Sequence, residues 1–592
     1  SRQKDGYYPI ECPQSFSFNF CIQVGRRTST VQSELLAKAI AMDGVGIHSG
    51  NRWASRRERK RARLQRAANY CIGRFIQNAS VVEAIEALLC PGDRVCVEGN
   101  NQKQADYLSR ALAKVDPTRI YDLHLVISVL GRPEHMELFE KGIASRVDFS
   151  FSGPQALRLA QMVADGRVQI GAIHTYLELF ARYFVDLPLD VAFVAGDAAD
   201  EDGNVYTSSN TEETPLIVEA AAFHNGLVIV QVNEVLKTLP RVDIPGSWVD
   251  LIIVSDRPYA IEPLFTRDPG LITDVQILMA MLVIRGIYEK HRVRRLNHGI
   301  GFDTAAIELL LPTYGESLGL RGEICTHWVL NPHPTLIPAI ESGWVQSLYC
   351  FGSEVGMEEY TAARPDVFYT GADGSLRSNR AFAQVAGLYA TDLFIGSTLQ
   401  MDSAANSSTA TLGRIAGFGG APNMGSDPHG RRHATGPWLE MISESGDQAR
   451  GRKLVVQLVQ TFRDGMEPTF VETLDAVELG RRAGLSLAPV MIYGSDVTHV
   501  VTEEGIAYLY LTNDLDERRA ALAAIAGVTP LGMERSDARS QALRKRGIVA
   551  FPEDLGIRRS DARRSLLAAH NIHDLVEWSG GLYDPPGRFR SW

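Results

Sequence analysis

Gly92–Leu112, GDRVCVEGNNQKQADYLSRAL, sets a short apolar run, a polar turn and an amphipathic segment in series. Arg94–Glu98 reads as a strand, and Gln104–Lys114 reads as the helix that follows it. A continuous apolar run, rather than an alternating one, marks a strand buried on both faces, as in a parallel sheet covered by helices. The pattern repeats. Further strands are expected at Leu123–Leu130, Val147–Phe151, Val168–Ile173, Val191–Ala195, Leu227–Val232 and Leu251–Val254, with a helix-like stretch at Gly153–Ala164. The alternation pauses at Asp268–Gly270, a long helix candidate covers Leu271–Tyr288, and a basic run, KHRVRR, follows. A second set of strands is expected at Glu323–Val329, Ser347–Phe351, Val367–Tyr369, Leu393–Ile395, Lys453–Val459 and His499–Thr502. The fold class is therefore α/β: two tandem open α/β domains, 51–270 and 271–592, the second with a small helical extension after about residue 514. Residues 1–50 share no periodicity with the rest and read as a disordered extension or a displaced translation start. In such sheets ligands lie beyond the carboxyl ends of the strands, which makes the cleft between the domains the default site.

At 592 residues the chain exceeds what one core supports. Its net charge of −10 argues against a general nucleic-acid partner, which would need a basic excess. The seven cysteines show no CxxC spacing, a pattern suited to reduced thiols in a cytosol rather than to disulfides or zinc. No apolar run approaches the roughly 18 residues that span a bilayer. No membrane partner and a cytoplasmic location are expected. One strongly basic segment, Arg52–Arg66, reads either as a patch for an acidic partner or as a solvated helix face.

Four segments of the second half carry candidate chemistry. RIAGFGGAPNMGSDPHGRRH, from Arg414 to His433, packs five glycines and two prolines into one loop and ends in Arg431 and Arg432 between two histidines. Glycine inside a helix costs about 1 kcal/mol relative to alanine, so this density marks a loop whose backbone approaches something closely. An anion or a polarised carbonyl suits it, and a plain surface loop accounts for the composition equally well. LNHGIGFD, Leu296–Asp303, reads as a strand-to-helix turn that exposes N–H groups at Gly299 and Gly301, a geometry suited to an oxyanion hole or to simple packing. GLRGEICTH places Glu323 at the head of an apolar strand, either as a working carboxylate or as a strand-end residue in water. HVVTEEGIAY, His499–Tyr508, reads as an ordinary turn after a strand. Cys325 with His327 as base lacks a third member. No HExxH, GxxxxGK[ST] or GxSxG motif is present, and no metal is expected.

In this order these segments resemble the coenzyme A transferase superfamily. LNHGIGFDTAAIELL resembles its glycine turn, GLRGEICTH the strand of its catalytic glutamate, GFGGAPN its GxGGQxD loop and VTHVVTEEGIAYL its VTxxVVTExGxAxL signature. In the first half, GDRVCVEGNNQKQADYLSRAL and QVNEVLKTLPRVDIPGSWVDLIIVSD resemble the opening strand and the segment before the domain crossover. The likeness covers roughly residues 70–520. Within the superfamily, LCPGDRVCVEGNNQKQADYL, LNHGIGFDTAAIELLLPTYG, RGEICTHWVLNPHPTLIPAIESGW and GRIAGFGGAPNMGSDPHGRRHATGPWL resemble the malonate decarboxylase alpha subunits.

The resemblance implies two CoA-transferase-like domains and an acyl-carrier-protein transferase that converts acetyl-S-carrier and malonate to malonyl-S-carrier and acetate. The thiol would belong to a phosphoribosyl-dephospho-CoA arm on a carrier subunit, so this chain need hold no cofactor covalently; decarboxylase subunits would complete the complex. It implies Glu323 as nucleophile or malonate-orienting group, with Gly299 and Gly301 around the thioester carbonyl. Gly417, Gly419, Gly420, Ala421 and Asn423 would line the thioester pocket. GFGGAPN departs from the family pattern, so the aspartate's role does not carry over to Asn423. Malonate is a dianion, and Arg431 or Arg432, with Asn100 and Asn101 as neutral donors, are candidates for its binding. A glutamyl thioester and direct exchange through a mixed anhydride both remain open. So do two other functions: a general CoA transferase or citrate lyase alpha-type chain acting on another carboxylate, and a non-catalytic scaffold.

Overall fold

The computed structural model describes residues 49–592, apart from 100–102, 260, 262–267, 373, 427–452, 563 and 591–592. The expected N-terminal extension thus falls almost wholly outside the described residues. The expected alternation is present. Strands β1 (Cys71–Ile72), β2 (Phe75–Ile76), β3 (Arg94–Val97), β4 (Leu123–Val129), β5 (Ala144–Phe151), β6 (Gln169–Ile173), β7 (Val191–Ala199), β8 (Val205–Tyr206), β9 (Leu227–Val235) and β10 (Leu251–Val254) form the first sheet. Its order is β1-β2-β10-β9-β7-β3-β4-β5-β6, with β8 beside β7. From β2 to β6 every neighbouring pair is parallel. The central strands β3, β4 and β7 and the first six residues of β9 are buried almost throughout, as continuous Val/Ile/Leu runs require, while the edge strands β1 and β6 are partly exposed.

The second sheet contains β11 (Arg295–His298), β12 (His327–Val329), β13 (Ser347–Tyr349) and β14 (Leu393–Ser397). After a small sheet of β15 (Gln400–Asp402), β16 (Ser407–Ser408) and β20 (Phe470–Val471), which is joined later in the chain, it resumes with β17 (Leu454–Leu458). A hairpin of β18 (Phe462–Arg463) and β19 (Glu467–Pro468) intervenes, and β21 (His499–Val501), β22 (Ile506–Tyr508) and β23 (Val549–Ala550) complete the sheet. The order is β13-β12-β11-β14-β17-β21-β22-β23, parallel until β21 and antiparallel beyond it. The segment after residue 514 is mainly helical, with Leu515–Ile525 and Asp537–Lys545, but β23 adds a strand that the composition did not announce.

Three expectations are corrected. Val367–Tyr369 is no strand, only a single bridge between Leu348 and Phe368. The long helix runs Asp274–Val283 and then widens into a π-turn over Ile284–Glu289. β12 begins at His327 rather than Glu323, because Cys325 takes φ 56° and breaks the extended run.

Strand order reverses once in each sheet. In the first the chain moves outward from β3 through β4, β5 and β6, then returns to the other side of β3 as β7. In the second it moves from β11 to β12 and β13, then returns as β14. Loops leaving the two strands at such a reversal diverge and open a crevice beyond their carboxyl ends.

The basic segment is part of the helix Ser49–Ala67. Arg63 forks onto buried Asp93 at 2.7 and 2.8 Å and Lys60 meets Asp250 at 2.8 Å, while Arg57, Arg59 and Arg61 are exposed. No helix among the described residues is long and apolar enough to cross a membrane.

One buried cluster makes stability depend on pH. Asp148 on β5 accepts from His124 at 2.6 Å and His174 at 2.7 Å. Burial acts to raise the Asp148 pKa, but the two histidines outweigh it and hold the carboxyl well below the usual range. Burial likewise opposes charge on His174, yet its bonds to Asp148 and Glu178 raise its pKa. The Asp148 contribution is present above its unfolded value of about 3.9 and is lost as pH falls through the depressed folded value. The His174 contribution is complete below its unfolded value of about 6.5 and is lost as pH rises through the raised one. Asp148→Asn should therefore lower Tm most between about pH 4 and pH 6.5. A Tm difference from wild type that stays flat from acid to alkaline pH would refute this pairing.

Candidate active site

At the second sheet's reversal, β11 ends at His298 and the chain turns through Gly299–Gly301 into the helix Phe302–Leu310. The turn is tied down. The Gly299 N–H donates to Ile395 O on β14 at 2.7 Å, and a Cβ on Gly299 would meet the Gly396 Cα at 3.2 Å. The Gly299 donor expected to face an oxyanion is thus already used between strands. Gly301 is extended, with φ 179°, and stands at the head of the helix. The first N–H groups of a helix lack intrahelical acceptors and carry the positive end of its dipole, so the donors there suit developing negative charge. Thr304 Oγ1 donates to Gly299 O at 2.6 Å and Gly301 O at 2.9 Å. Asp303 accepts from Ser397 at 2.6 Å and Gln460 at 2.9 Å, which joins the turn to the ends of β14 and β17.

Beside this turn, buried Glu308 gathers three donors. Its Oε1 lies 3.0 Å from His298 Nδ1 and 3.1 Å from His333 Nδ1, and its Oε2 accepts from Thr335. Burial acts to raise the Glu308 pKa, but facing His333 and the bonds from both histidines hold it down at about 2. His298 Nε2 is filled by the Tyr288 hydroxyl at 2.8 Å. His333 follows β12 and is 4% exposed; its Nε2 has no hydrogen-bond partner among the described residues, and neither does Oδ1 of Asn331, which is 5% exposed. Neither residue stands out in sequence. The only cue is two polar side chains among prolines, LNPHP, directly after an apolar strand.

Glu323 lies elsewhere. It sits on the turn before β12, 62% exposed, with its Oε2 3.7 Å from Arg292 Nη1. β11 and β12 are parallel, with Arg295 opposite His327, so Glu323 is at the amino end of the sheet and the Gly299–Gly301 turn at its carboxyl end. The structure does not bring them together. Cys325 is buried, and burial pushes its thiol well above the usual range, which disfavours the thiolate that a nucleophile needs.

The glycine loop docks on the first sheet. Phe418 N–H and Gly419 N–H both donate to Ser150 O, at 2.7 and 3.0 Å, and Ser152 N–H donates to Ala416 O at 2.9 Å. Gly417 has φ 78°, and a Cβ there would lie 2.4 Å from Ser150 O. Gly419 O accepts from Tyr176 N–H, and a Cβ on Gly420 would collide with the Gln384 side chain. Gly417 and Gly419 therefore serve a close backbone approach to the carboxyl end of β5, while Gly420 leaves room for the Gln384 side chain. Ala421 and Asn423 follow in the short helix Ala421–Met424, with the Asn423 Nδ2 buried and unpartnered among the described residues. Asn100, Asn101, Arg431 and Arg432 lie outside the described residues, as do His429 and His433.

The first sheet's reversal holds a buried charge cluster that no sequence motif marks. Glu98, one residue past β3, accepts from Ala195 N–H on β7 at 2.8 Å and from Thr214, and lies 3.6 Å from Lys103 Nζ. Glu213 accepts from Ser128 at 2.5 Å, and burial pushes it up to about 7 despite the pull of Arg380. Arg380 reaches in from the segment between β13 and β14, pairs with Glu212 at 2.6 Å and lies over the Tyr176 ring at 4.8 Å. Gly352, just past β13, abuts the Glu212 carboxylate. The carboxyl-end loops of both sheets thus meet at one set of buried groups.

Comparison with known proteins agrees with this architecture. The family model described as malonate decarboxylase, alpha subunit, transporter matches residues 52–592. An acetyl-S-ACP:malonate ACP transferase from Malonomonas rubra is 55% identical over 526 residues, which is 88% of this chain and 95% of that one. A Pseudomonas malonate decarboxylase hetero-tetramer solved in complex with malonate contains a chain 63% identical, with a TM-score of 0.87 over 91% of this chain and 99% of that one. The malonate decarboxylase alpha subunit of Acinetobacter baumannii is 59% identical, with a TM-score of 0.86 over 91% and 100% of the two chains. With nearly its whole described length matched at this level, the chain belongs to the malonate decarboxylase alpha subunit family.

Proposed function

We infer that this chain is the acyl-carrier-protein transferase of a malonate decarboxylase, converting acetyl-S-carrier and malonate to malonyl-S-carrier and acetate. The observation that carries the reading is 55% identity across 95% of a protein named for that activity. In the proposed assembly a carrier subunit presents a phosphoribosyl-dephospho-CoA thiol, and decarboxylase subunits consume the malonyl thioester in the cytoplasm. A malonate carboxylate oxygen attacks the acetyl carbonyl carbon, the C–S bond breaks, and the carrier leaves as thiolate from an acetyl malonyl anhydride. The thiolate then attacks the malonyl carbonyl, the anhydride C–O bond breaks, and acetate leaves. Donors at the head of the helix Phe302–Leu310, at Gly301, stabilise the oxyanion of each step; one such donor contributes about 3 kcal/mol. Asn100, Asn101, Arg431 and Arg432 are proposed as anchors for one malonate carboxylate, and the 417–423 loop as a wall of the pocket.

The exposed position of Glu323, away from this turn, supports direct exchange over a glutamyl-thioester route. Glu323→Gln is accordingly expected to keep the transfer rate within about twofold, because an exposed residue paired at 3.7 Å contributes little. A loss of several orders of magnitude, with folding intact, would restore the glutamate as nucleophile. The function itself is tested with the purified chain, acetylated carrier and labelled malonate, followed by intact mass. The expected result is a carrier heavier by one CO2 plus the mass of the label, with release of unlabelled acetate. Transfer to free CoA but not to the carrier would overturn it.

A further inference from the structure

Two side-chain amides beside the glycine loop each keep a buried polar atom unbonded among the described residues. We propose that Gln384 and Asn423 together hold a secondary amide of the carrier's thiol arm, the one nearest the sulfur. The inference rests on the transferase reading above, in which the arm ends in the pantetheine portion of dephospho-CoA.

Gln384 lies on the helix Arg380–Tyr389 and is 1% exposed. Its Oε1 has no hydrogen-bond partner among the described residues, and the same holds for the buried Nδ2 of Asn423. Buried polar atoms are nearly always bonded, so two left open at one turn call for a molecule that bonds both. Gly420 brings them to one place. A Cβ there would lie 2.5 Å from both Oε1 and Nε2 of Gln384, so the amide rests against the glycine's Cα. The chain then makes a helical turn, with Met424 N–H donating to Gly420 O at 3.0 Å. Positions three apart share a face of such a turn, which puts Asn423 on the side where Gly420 meets Gln384. Residues 420–423 are half-buried, so both amides lie just beneath the surface beside the loop.

One open atom is an acceptor and the other a donor. Malonate and acetate, when ionised, carry only acceptors, so neither serves the Gln384 oxygen. A secondary amide offers one N–H and one C=O, which is the complement of the pair. The arm carries such an amide just two methylene groups from its sulfur. Held there, its N–H donates to Gln384 Oε1, its C=O accepts from Asn423 Nδ2, and the thioester is presented beside the loop.

Gln384→Met removes the amide and keeps an unbranched side chain of similar length. It should raise the KM for acetylated carrier about fivefold, as loss of one hydrogen bond predicts, while the KM for malonate stays within about twofold. Exchange of labelled acetate with the acetylated carrier should suffer equally, because both reactions use the same arm. Asn423→Ala should act in the same way. An amide that bonds nothing in the free protein adds no stability, so without carrier the Tm of Gln384→Met should match or exceed that of wild type. Binding is read separately, by titrating the chain with carrier that bears its arm and with carrier that lacks it. Wild type should prefer the arm-bearing form, and Gln384→Met should lose about fivefold of that preference. A carrier KM and a binding preference both unchanged in Gln384→Met would overturn the assignment. So would a Tm several degrees below wild type, since the amide would then be bonded in the free protein. A wild-type chain that binds the arm-bearing carrier but transfers nothing to malonate would instead overturn the function reading, and the binding comparison would still decide the role of the two amides.

Discussion

Arg380→Leu should destabilise the protein by about 3–5 kcal/mol near neutral pH, because it strips the cation from a buried pair and leaves Glu212 charged in the interior. Arg380 is 5% exposed and Glu212 0%, so water cannot replace the lost partner. Burial already acts to raise the Glu212 pKa, and the positive charge of Arg380 is what chiefly opposes that rise. Without Arg380, Glu212 takes up a proton on folding, so the variant should lose less stability at about pH 5 than at neutral pH. Arg380→Leu combined with Glu212→Gln should recover most of the loss, since an uncharged amide is far cheaper to bury than a lone carboxylate. Urea unfolding of wild type, the two single variants and the double variant at both pH values decides the matter. An Arg380→Leu variant within about 1 kcal/mol of wild type would mean that the pair is solvated in solution.

The same residue shows what the sequence made legible. Strands were readable where apolar runs were continuous and bounded: Leu251–Val254 is reproduced, and Arg94–Glu98 overruns by one residue. The run ICTHWV is just as apolar, but a backbone reversal at Cys325 carries no compositional mark, so the strand expected from Glu323 starts only at His327 and leaves the glutamate outside it. The density of glycine between 417 and 420 was readable as close approach, yet nothing in the letters says that the approaching group is Ser150 O. Arg380 and Glu212 stand 168 residues apart, and Glu308 and His333 stand 25 apart. Only the order and register of the strands bring such pairs together. The reversal points follow from that order, and at the second of them stands the Gly299–Gly301 turn that LNHGIGFD marks in the sequence.

Glu308→Gln separates the structural share of the buried network from its electrostatic share. The amide oxygen still accepts from His298 and His333, and the amide N–H₂ turns toward Thr335, whose hydroxyl accepts as readily as it donates. Every hydrogen bond survives in this arrangement, so stability should fall by no more than about 1–2 kcal/mol. The charge does not survive. Glu308 is held ionised, at about 2, by facing His333 and by the bonds from both histidines, so the amide removes a buried negative charge from beside the Gly299–Gly301 turn. Malonate transfer and acetate exchange on the same carrier should then both slow by about fivefold, because a neutral amide holds His298 and the turn that follows it less firmly than a carboxylate does. Glu308→Leu should behave differently: it leaves His298, His333 and Thr335 without their acceptor and should destabilise the fold by about 3–5 kcal/mol, lowering both activities together. Should Glu308→Gln keep full malonate transfer, the carboxylate would be serving the fold alone, as an acceptor whose charge plays no part in binding.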